Sequence, residues 1–196
     1  MVGQGHRIIE YPIPLAASNV LRRIQNGGVP EAIVAGGCLR DTIMHRPVND
    51  IDVFVPEDDV WRARRAIRET HPECVRSIPE PYFVFNTEVR SVDYYAPKSG
   101  VVWPPVNIIG VTNGTCTPEQ QLERFDFGIC RVAFDGVRLW KDLAFDRDQR
   151  DETFSLLVSQ STRQREYSLA RYERLQEKYA GWKLVDKYND ENWWKE

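Results

Sequence analysis

The stretch Ala32 to Val55, AIVAGGCLRDTIMHRPVNDIDVFV, decides how the chain folds. Its first apolar run, Ala32 to Ala35, predicts a strand that ends in Gly36-Gly37. Glycine lets the backbone turn sharply there and approach a ligand closely. Leu39 to His45 predicts a short helix, and Arg46-Pro47-Val48-Asn49 the loop after it. The first turn of a helix has backbone N–H groups without helical partners, which suits phosphate. The second apolar run contains Asp50-Ile51-Asp52, and strand alternation sends both aspartates to one face. Two adjacent carboxylates repel each other unless a cation lies between them. A divalent metal that also holds phosphate oxygens meets both demands.

Upstream, Leu15 to Ile24 has helical spacing of apolar residues and stops at Asn26-Gly27-Gly28. Downstream, Asp59 to Thr70 predicts a helix with acidic residues at its start, where the helix dipole favours them. Val75 to Tyr95 and Val106 to Val111 read as strands. Thr117-Pro118-Glu119 begins a short helix, with proline at the first helical position. Asp126 to Phe134 predicts a strand, and Asp135-Gly136 a hairpin turn into Val137 to Trp140. From Thr153 onward helix is expected to dominate, chiefly over Ser161 to Tyr179, where Arg163, Arg165, Arg171 and Arg174 cluster.

At 196 residues the chain suits one domain: a head over 1–152 and a C-terminal helical extension over 153–196 in the same compact unit. The four cysteines are scattered and form no CxxC pair, which argues against a zinc site or a disulfide framework. No apolar run approaches the length of a membrane span, and the first residues lack a signal-peptide pattern. The expectation is a cytoplasmic protein with reduced thiols and no membrane partner. A net charge of −3 gives no global preference for nucleic acid, so any RNA contact must come from a local basic face.

With GGCLRD at Gly36 to Asp41 and DID at Asp50 to Asp52, the chain resembles the DNA polymerase beta-like nucleotidyltransferase superfamily. More narrowly, it is similar to the head domain of class II tRNA CCA-adding enzymes and bacterial poly(A) polymerases, whose heads open with GGxVRD and then DxD. Glu123 to Cys130 resembles a diverged copy of that family's RRDFTINALA block: Arg124 and Asp126 match, and Phe125 replaces the second arginine. VRLWKDLAF and RYERLQEKYAGWKL resemble two later blocks, the second supplying Arg171 and Arg174. Arg165 and Ser168 stand where the family's base-choosing acidic and arginine residues are expected.

The resemblance implies a mixed α+β fold of the polymerase beta-like palm type, its sheet flanked by helices. It implies an enzyme that transfers a nucleotide from an NTP to an acceptor hydroxyl, with RNA (a tRNA-like 3′ end) as the acceptor and pyrophosphate released. Two Mg²⁺ ions are implied, with Asp50 and Asp52 as ligands. Gly36, Gly37, Arg40, Asp41, Arg124, Arg171 and Arg174 would bind the nucleotide. The superfamily adds a third carboxylate from a neighbouring strand. Asp126 fills that role by family match, with Asp93 as the alternative.

Plainer roles stand beside these. Asp41 can cap a helix or pair with Arg40, Asp126 can bond a turn, and the arginine cluster can be a solvated face. The acceptor can also be a protein or a small molecule, and a non-catalytic nucleotide- or RNA-binding module would use the same fold.

Overall fold

The computed structural model describes residues 13–70, 74–77, 89–97, 104–112, 116–159 and 161–186. The leader before Ile13, the YFVF run, the turns at 98–100 and 113–115 and the Trp193-Trp194 tail lie outside them.

Helix α1 (Leu15–Asn26) buries Ala17, Val20, Leu21 and Ile24, one stripe at helical spacing. Strand β1 (Ile33–Ala35) leads through Gly36 into helix α2 (Gly37–Ile43), and strand β2 (Ile51–Pro56) follows. Helix α3 (Val60–Thr70) comes after a 3-10 turn. Strands β3 (Cys74–Ser77), β4 (Val89–Pro97) and β5 (Val106–Val111) extend the sheet. Helix α4 (Pro118–Arg124) starts at Thr117 with a capping box shared with Gln120, and Pro118 stands in its first turn. Strands β6 (Val132–Phe134) and β7 (Leu139–Lys141) form a hairpin.

The seven strands run in the order β3-β4-β5-β2-β1-β6-β7. Neighbours are antiparallel except β2 and β5, which are parallel. This is the mixed α+β architecture expected from the sequence. Alternation along β2 divides the sheet into two faces. Val53 and Val55 enter the large core with α1 and α3, while Phe54 joins a smaller cluster with Ile33, Ala35, Leu122 and Ala133. Asp52 shares the parity of Phe54 and so opens on the face of the smaller cluster.

Two expectations are corrected. The residues Asp126 to Phe134 do not form one strand. Gly128–Cys130 is a 3-10 turn, and only Val132–Phe134 is extended. The cause is Asp148 on helix α5 (Leu143–Asp151), a helix the apolar pattern does not announce. The fully buried Asp148 carboxylate accepts from Ile129 N (2.9 Å), Ser155 N (3.0 Å), Ser155 Oγ (2.6 Å) and Thr153 Oγ1 (3.0 Å). Those four donors satisfy a buried charge and fold the backbone around it. Gly128 lies so close that a Cβ there would sit 2.6 Å from Asp148 Oδ2.

The C-terminal part is also not helix alone. Strand β8 (Thr153–Leu156), helix α6 (Thr162–Gln176) and strand β9 (Lys183–Asp186) form a unit in which β8 and β9 pair in parallel. Phe154 holds it down. Its ring packs against Phe127, Tyr172, Tyr179 and Trp182 at centroid distances of 5.5–5.7 Å. Phe154, Tyr179 and Trp182 belong to the same buried cluster as Val34 and Val53, so the extension and the head share a core. Among the described residues no helix is long and apolar enough to cross a membrane.

Asp148→Ala is expected to lower unfolding free energy by about 3 kcal/mol or more, because buried backbone donors at Ile129 and Ser155 lose their acceptor. Asp148→Asn should fall in between, since one oxygen remains. Urea denaturation checks this, and a loss below about 1 kcal/mol for the alanine variant would contradict it.

Candidate active site

Asp50 and Asp52 open into a cavity of about 1180 Å³. Its floor is the β2–β5 part of the sheet, with Phe54, Asn107 and Ile109, and its wall is α6 with Gln164, Tyr167, Arg171 and Arg174. Parallel pairing sets Asn107 on β5 directly beside Asp52 on β2. The Asn107 Nδ2 donates to Asp52 Oδ1 at 2.8 Å and to Asp50 Oδ2 at 3.2 Å. It thereby bridges two carboxylates that would otherwise face each other unrelieved. Asn107 is 3% exposed, and among the described residues its Oδ1 has no hydrogen-bond partner.

The Asp52 carboxyl is pushed up to about 6. Burial is the largest cause and the Asp50 charge the second; the Asn107 bond, Arg171 and Arg40 pull the other way. The Cys38 thiol beneath is raised by burial, then by Asp52, Asp50 and Asp41, which leaves it a neutral core side chain.

The glycine turn is built as the sequence predicts. Gly36 has φ of 81°, a left-handed value, and its N–H donates to Val132 O at 2.8 Å. The Phe125 ring covers it; a Cβ on Gly36 would meet that ring at 2.8 Å. Phe125 also packs edge-on to Phe54, with centroids 6.0 Å apart. An aromatic residue thus replaces the expected arginine with a packing role.

Arg40 and Asp41 are each 3% exposed and form a buried ion pair, Nη2 to Oδ1 at 2.6 Å. The Asp41 Oδ1 also accepts from Tyr179 OH at 2.7 Å, and its Oδ2 from Lys178 Nζ at 2.6 Å. Arg40 Nη1 lies 3.2 Å from Cys130 Sγ. Of the two plainer roles open to Asp41, pairing is the one observed, and the pair ties α2 to the turn that follows α6.

Asp126 lines the cavity on the α6 side. Its Oδ1 accepts from Arg171 Nη1 (3.0 Å) and Phe127 N (3.0 Å), and its Oδ2 from Ser168 Oγ (2.9 Å). The Asp126 charge is the main cause that holds the Arg171 guanidinium above its ordinary value. Asp126 is thus the partner of Arg171 and Ser168, on the same cavity that Asp50 and Asp52 line. Asp93 pairs on β4 with Ile108, which pairs with Val53. Its backbone register is one step off the Asp52–Asn107 row, and its side chain lies outside the described residues. Among the described residues no group of three or more His, Cys, Asp or Glu could hold a metal. The position beside the DxD pair belongs to Asn107, a polar side chain in the apolar run Val106 to Val111. That polarity was its only sequence signal.

Gly37, Arg40, Asp41, Arg124, Arg171 and Arg174 all line the cavity, joined by Arg46 and Lys178, which the motifs did not single out. Arg165 and Ser168 are occupied elsewhere. Arg165 Nη2 binds Asp186 at 2.5 Å, and Ser168 binds Asp126.

The raised Asp52 value has a consequence for stability. The folded protein keeps a proton that the unfolded chain, with its ordinary 3.8, has already released. Stability of the metal-free protein should therefore fall as pH rises from about 4 through 6. Urea midpoints across that range should show the slope, and Asp52→Asn should flatten it. An unchanged slope in the variant would assign the effect to another group.

The fold has relatives of known structure. A CCA-adding enzyme in complex with ATP superposes with a TM-score of 0.65 at 20% identity, covering 94% of this chain and 44% of that one. An apo form of a tRNA-processing enzyme matches with a TM-score of 0.62 at 20% identity, over 91% and 46%. The Thermotoga maritima CCA-adding enzyme complexed with tRNA matches with 0.57 at 20% identity, over 88% and 41%. The chain thus spans a little under half the length of these structures, and at such identity the likeness establishes the nucleotidyltransferase fold. No curated protein matches the sequence. Residues 15–148, well over half of the chain, match the family described as "Gabija anti-defense 2 family protein", and the protein belongs to that family.

Proposed function

We propose that the protein is a metal-dependent nucleotidyltransferase that moves a nucleotide from an NTP to an acceptor hydroxyl, with a tRNA-like RNA 3′ end as the acceptor. One observation carries this reading: the Asp50–Asp52 pair, bridged by Asn107, opens into the same cavity as Arg124, Arg171 and Arg174. Carboxylates with a basic wall suit a divalent cation and a triphosphate together.

The donor set fits such a cation. Two carboxylates and the orphaned amide oxygen of Asn107 are hard oxygen donors of the kind Mg²⁺ takes. Bound by Asp50 and Asp52, Mg²⁺ would activate the acceptor hydroxyl and draw charge from the pyrophosphate leaving group. The chain's own residues supply the rest. Arg171 and Arg174 offer charge-assisted hydrogen bonds to phosphate oxygens. Asp126 and Ser168 hold Arg171 and α6 in place, which makes Asp126 a positioning residue in this reading. The Arg40–Asp41–Tyr179 knot fixes the glycine turn against the α6 end. Phe125 and Phe54 give the floor an apolar surface on which a base can lie.

A second reading keeps the chemistry and changes the acceptor to a protein or small-molecule hydroxyl. Arg165 and Ser168 favour it, because the two positions expected to choose the base in CCA addition are bound to Asp186 and Asp126.

Incubation with each α-labelled NTP, Mg²⁺ and total RNA separates the readings. Label at RNA 3′ ends that vanishes in Asp50→Ala/Asp52→Ala supports the first, and label on protein supports the second. No label on any acceptor with the wild-type protein overturns both. Where RNA is labelled, Asp50→Ala should remove turnover, while Asp126→Asn should act mainly by raising KM for the NTP, by about tenfold or more. A loss of kcat at unchanged KM for Asp126→Asn would instead return Asp126 to the catalytic set.

A further inference from the structure

Asn107 meets the Asp50–Asp52 pair in a way that the metal-free arrangement leaves unfinished. Its nitrogen serves both carboxylates, while its buried oxygen has no partner among the described residues. A buried amide oxygen without a partner destabilises the fold. The cost is tolerable only if the nitrogen is needed where it points, or if the oxygen has a use in another state.

The first condition holds at this position, and a bound cation would supply the second. Between ionised carboxylates the amide nitrogen is the favourable end, since it brings partial positive charge to two like charges. A divalent cation between the same carboxylates reverses the preference, because the N–H group would then face positive charge and the oxygen would be the better end. Nitrogen and oxygen exchange by a half-turn of the terminal amide, a soft torsion that moves no backbone. The neighbouring strand fixes the distance, since Asn107 is in direct register with Asp52.

We propose that Asn107 is a two-state partner of Asp50 and Asp52: its amide nitrogen bridges them without a cation, and its amide oxygen turns to join them as a third donor when a divalent cation binds. This rests on the metal-dependent reading above and adds to it a neutral residue where a third carboxylate was expected. The donor set then carries a charge of −2 rather than −3. It holds a bare cation loosely and leaves the triphosphate to supply the remaining oxygens.

The full chain is titrated with Mn²⁺ alone by calorimetry, in wild type, Asn107→Leu and Asn107→Asp. Loss of the third donor should weaken Mn²⁺ binding by about tenfold or more in Asn107→Leu, and the added charge should tighten it by a similar factor in Asn107→Asp. The thermal midpoint of metal-free Asn107→Asp should drop and recover on Mn²⁺ addition, because its third charge has no partner without the cation. A measurement on the wild type guards against misfolded variants. The side-chain NH₂ signals of Asn107, read by NMR, should shift on titration with diamagnetic Mg²⁺ as their bonds to the carboxylates are released. Wild-type-like Mn²⁺ affinity in Asn107→Leu, or Asn107 NH₂ signals unmoved at saturating Mg²⁺, overturns the two-state role and leaves the metal-dependent reading standing. Absence of Mn²⁺ binding to the wild type, with and without NTP, overturns both.

Discussion

The repulsion between Asp50 and Asp52 is the constraint around which the molecule is arranged. Two carboxylates buried side by side on a cavity floor are costly, and the raised Asp52 value expresses first that burial and then the Asp50 charge. Three features limit it. Asn107 bridges them from β5, Arg40 and Arg171 add positive field from two other elements, and the cavity leaves room for a counter-charge. The first requires a strand immediately beside β2 in fixed register. An edge strand with a free flank on that side would leave the pair unrelieved. The central place of β2, with β5 parallel on one side and β1 antiparallel on the other, is what makes an Asp-x-Asp tolerable there.

The same logic explains how α6 is attached. It buries little, with Ser168 alone of its residues buried and Tyr172 and Leu175 packed half-buried against the core. Polar clamps add to that hold. Asp126 binds Arg171 and Ser168, Asp41 binds Lys178 and Tyr179 just past its end, and Asp186 binds Arg165. The Phe154 cluster anchors the strands at either end of it. Each clamp joins an acidic residue elsewhere in the chain to a basic one on or beside α6. The helix therefore arrives with part of its charge neutralised and with Arg171 and Arg174 on the cavity wall.

The parts of the fold that were legible in the sequence are those governed by near neighbours. The glycine turn, the Asp-x-Asp alternation, the apolar stripe of α1 and the Thr117 cap each depend on contacts within a few residues. What was missed depends on partners far along the chain. Asp126 reads as a strand start until Arg171, 45 residues later, takes its carboxylate. Gly128 to Cys130 read as a strand until Asp148 supplies an acceptor for Ile129 N. Helix α5, LAFDRDQRD, shows too few apolar positions to announce itself, and β8 and β9 are four residues each. Asn107 is a single amide in a β-strand, and its place beside the aspartates depends on its register with Asp52, which lies on another strand 55 residues earlier.

Charge in the cavity runs against the charge of the chain. The protein carries −3 overall, yet six basic and five acidic residues line the cavity. Of the acidic ones, Asp41 and Asp126 are paired with Lys178, Arg40 and Arg171. Asp50 and Asp52 make no salt bridge with a described residue. Internal pairing thus removes most of the negative charge from the walls but spares it at one spot on the floor. An anionic ligand meets Arg46, Arg124 and Arg174 on the lining, while a cation is drawn to the Asp50–Asp52 pair, with Glu177 a further acidic residue away from it. Net charge would have argued against polyanionic ligands, but it averages over a surface the ligand never visits. The field that decides binding is set by which charges the fold has already neutralised, and that is a property of pairings rather than of composition.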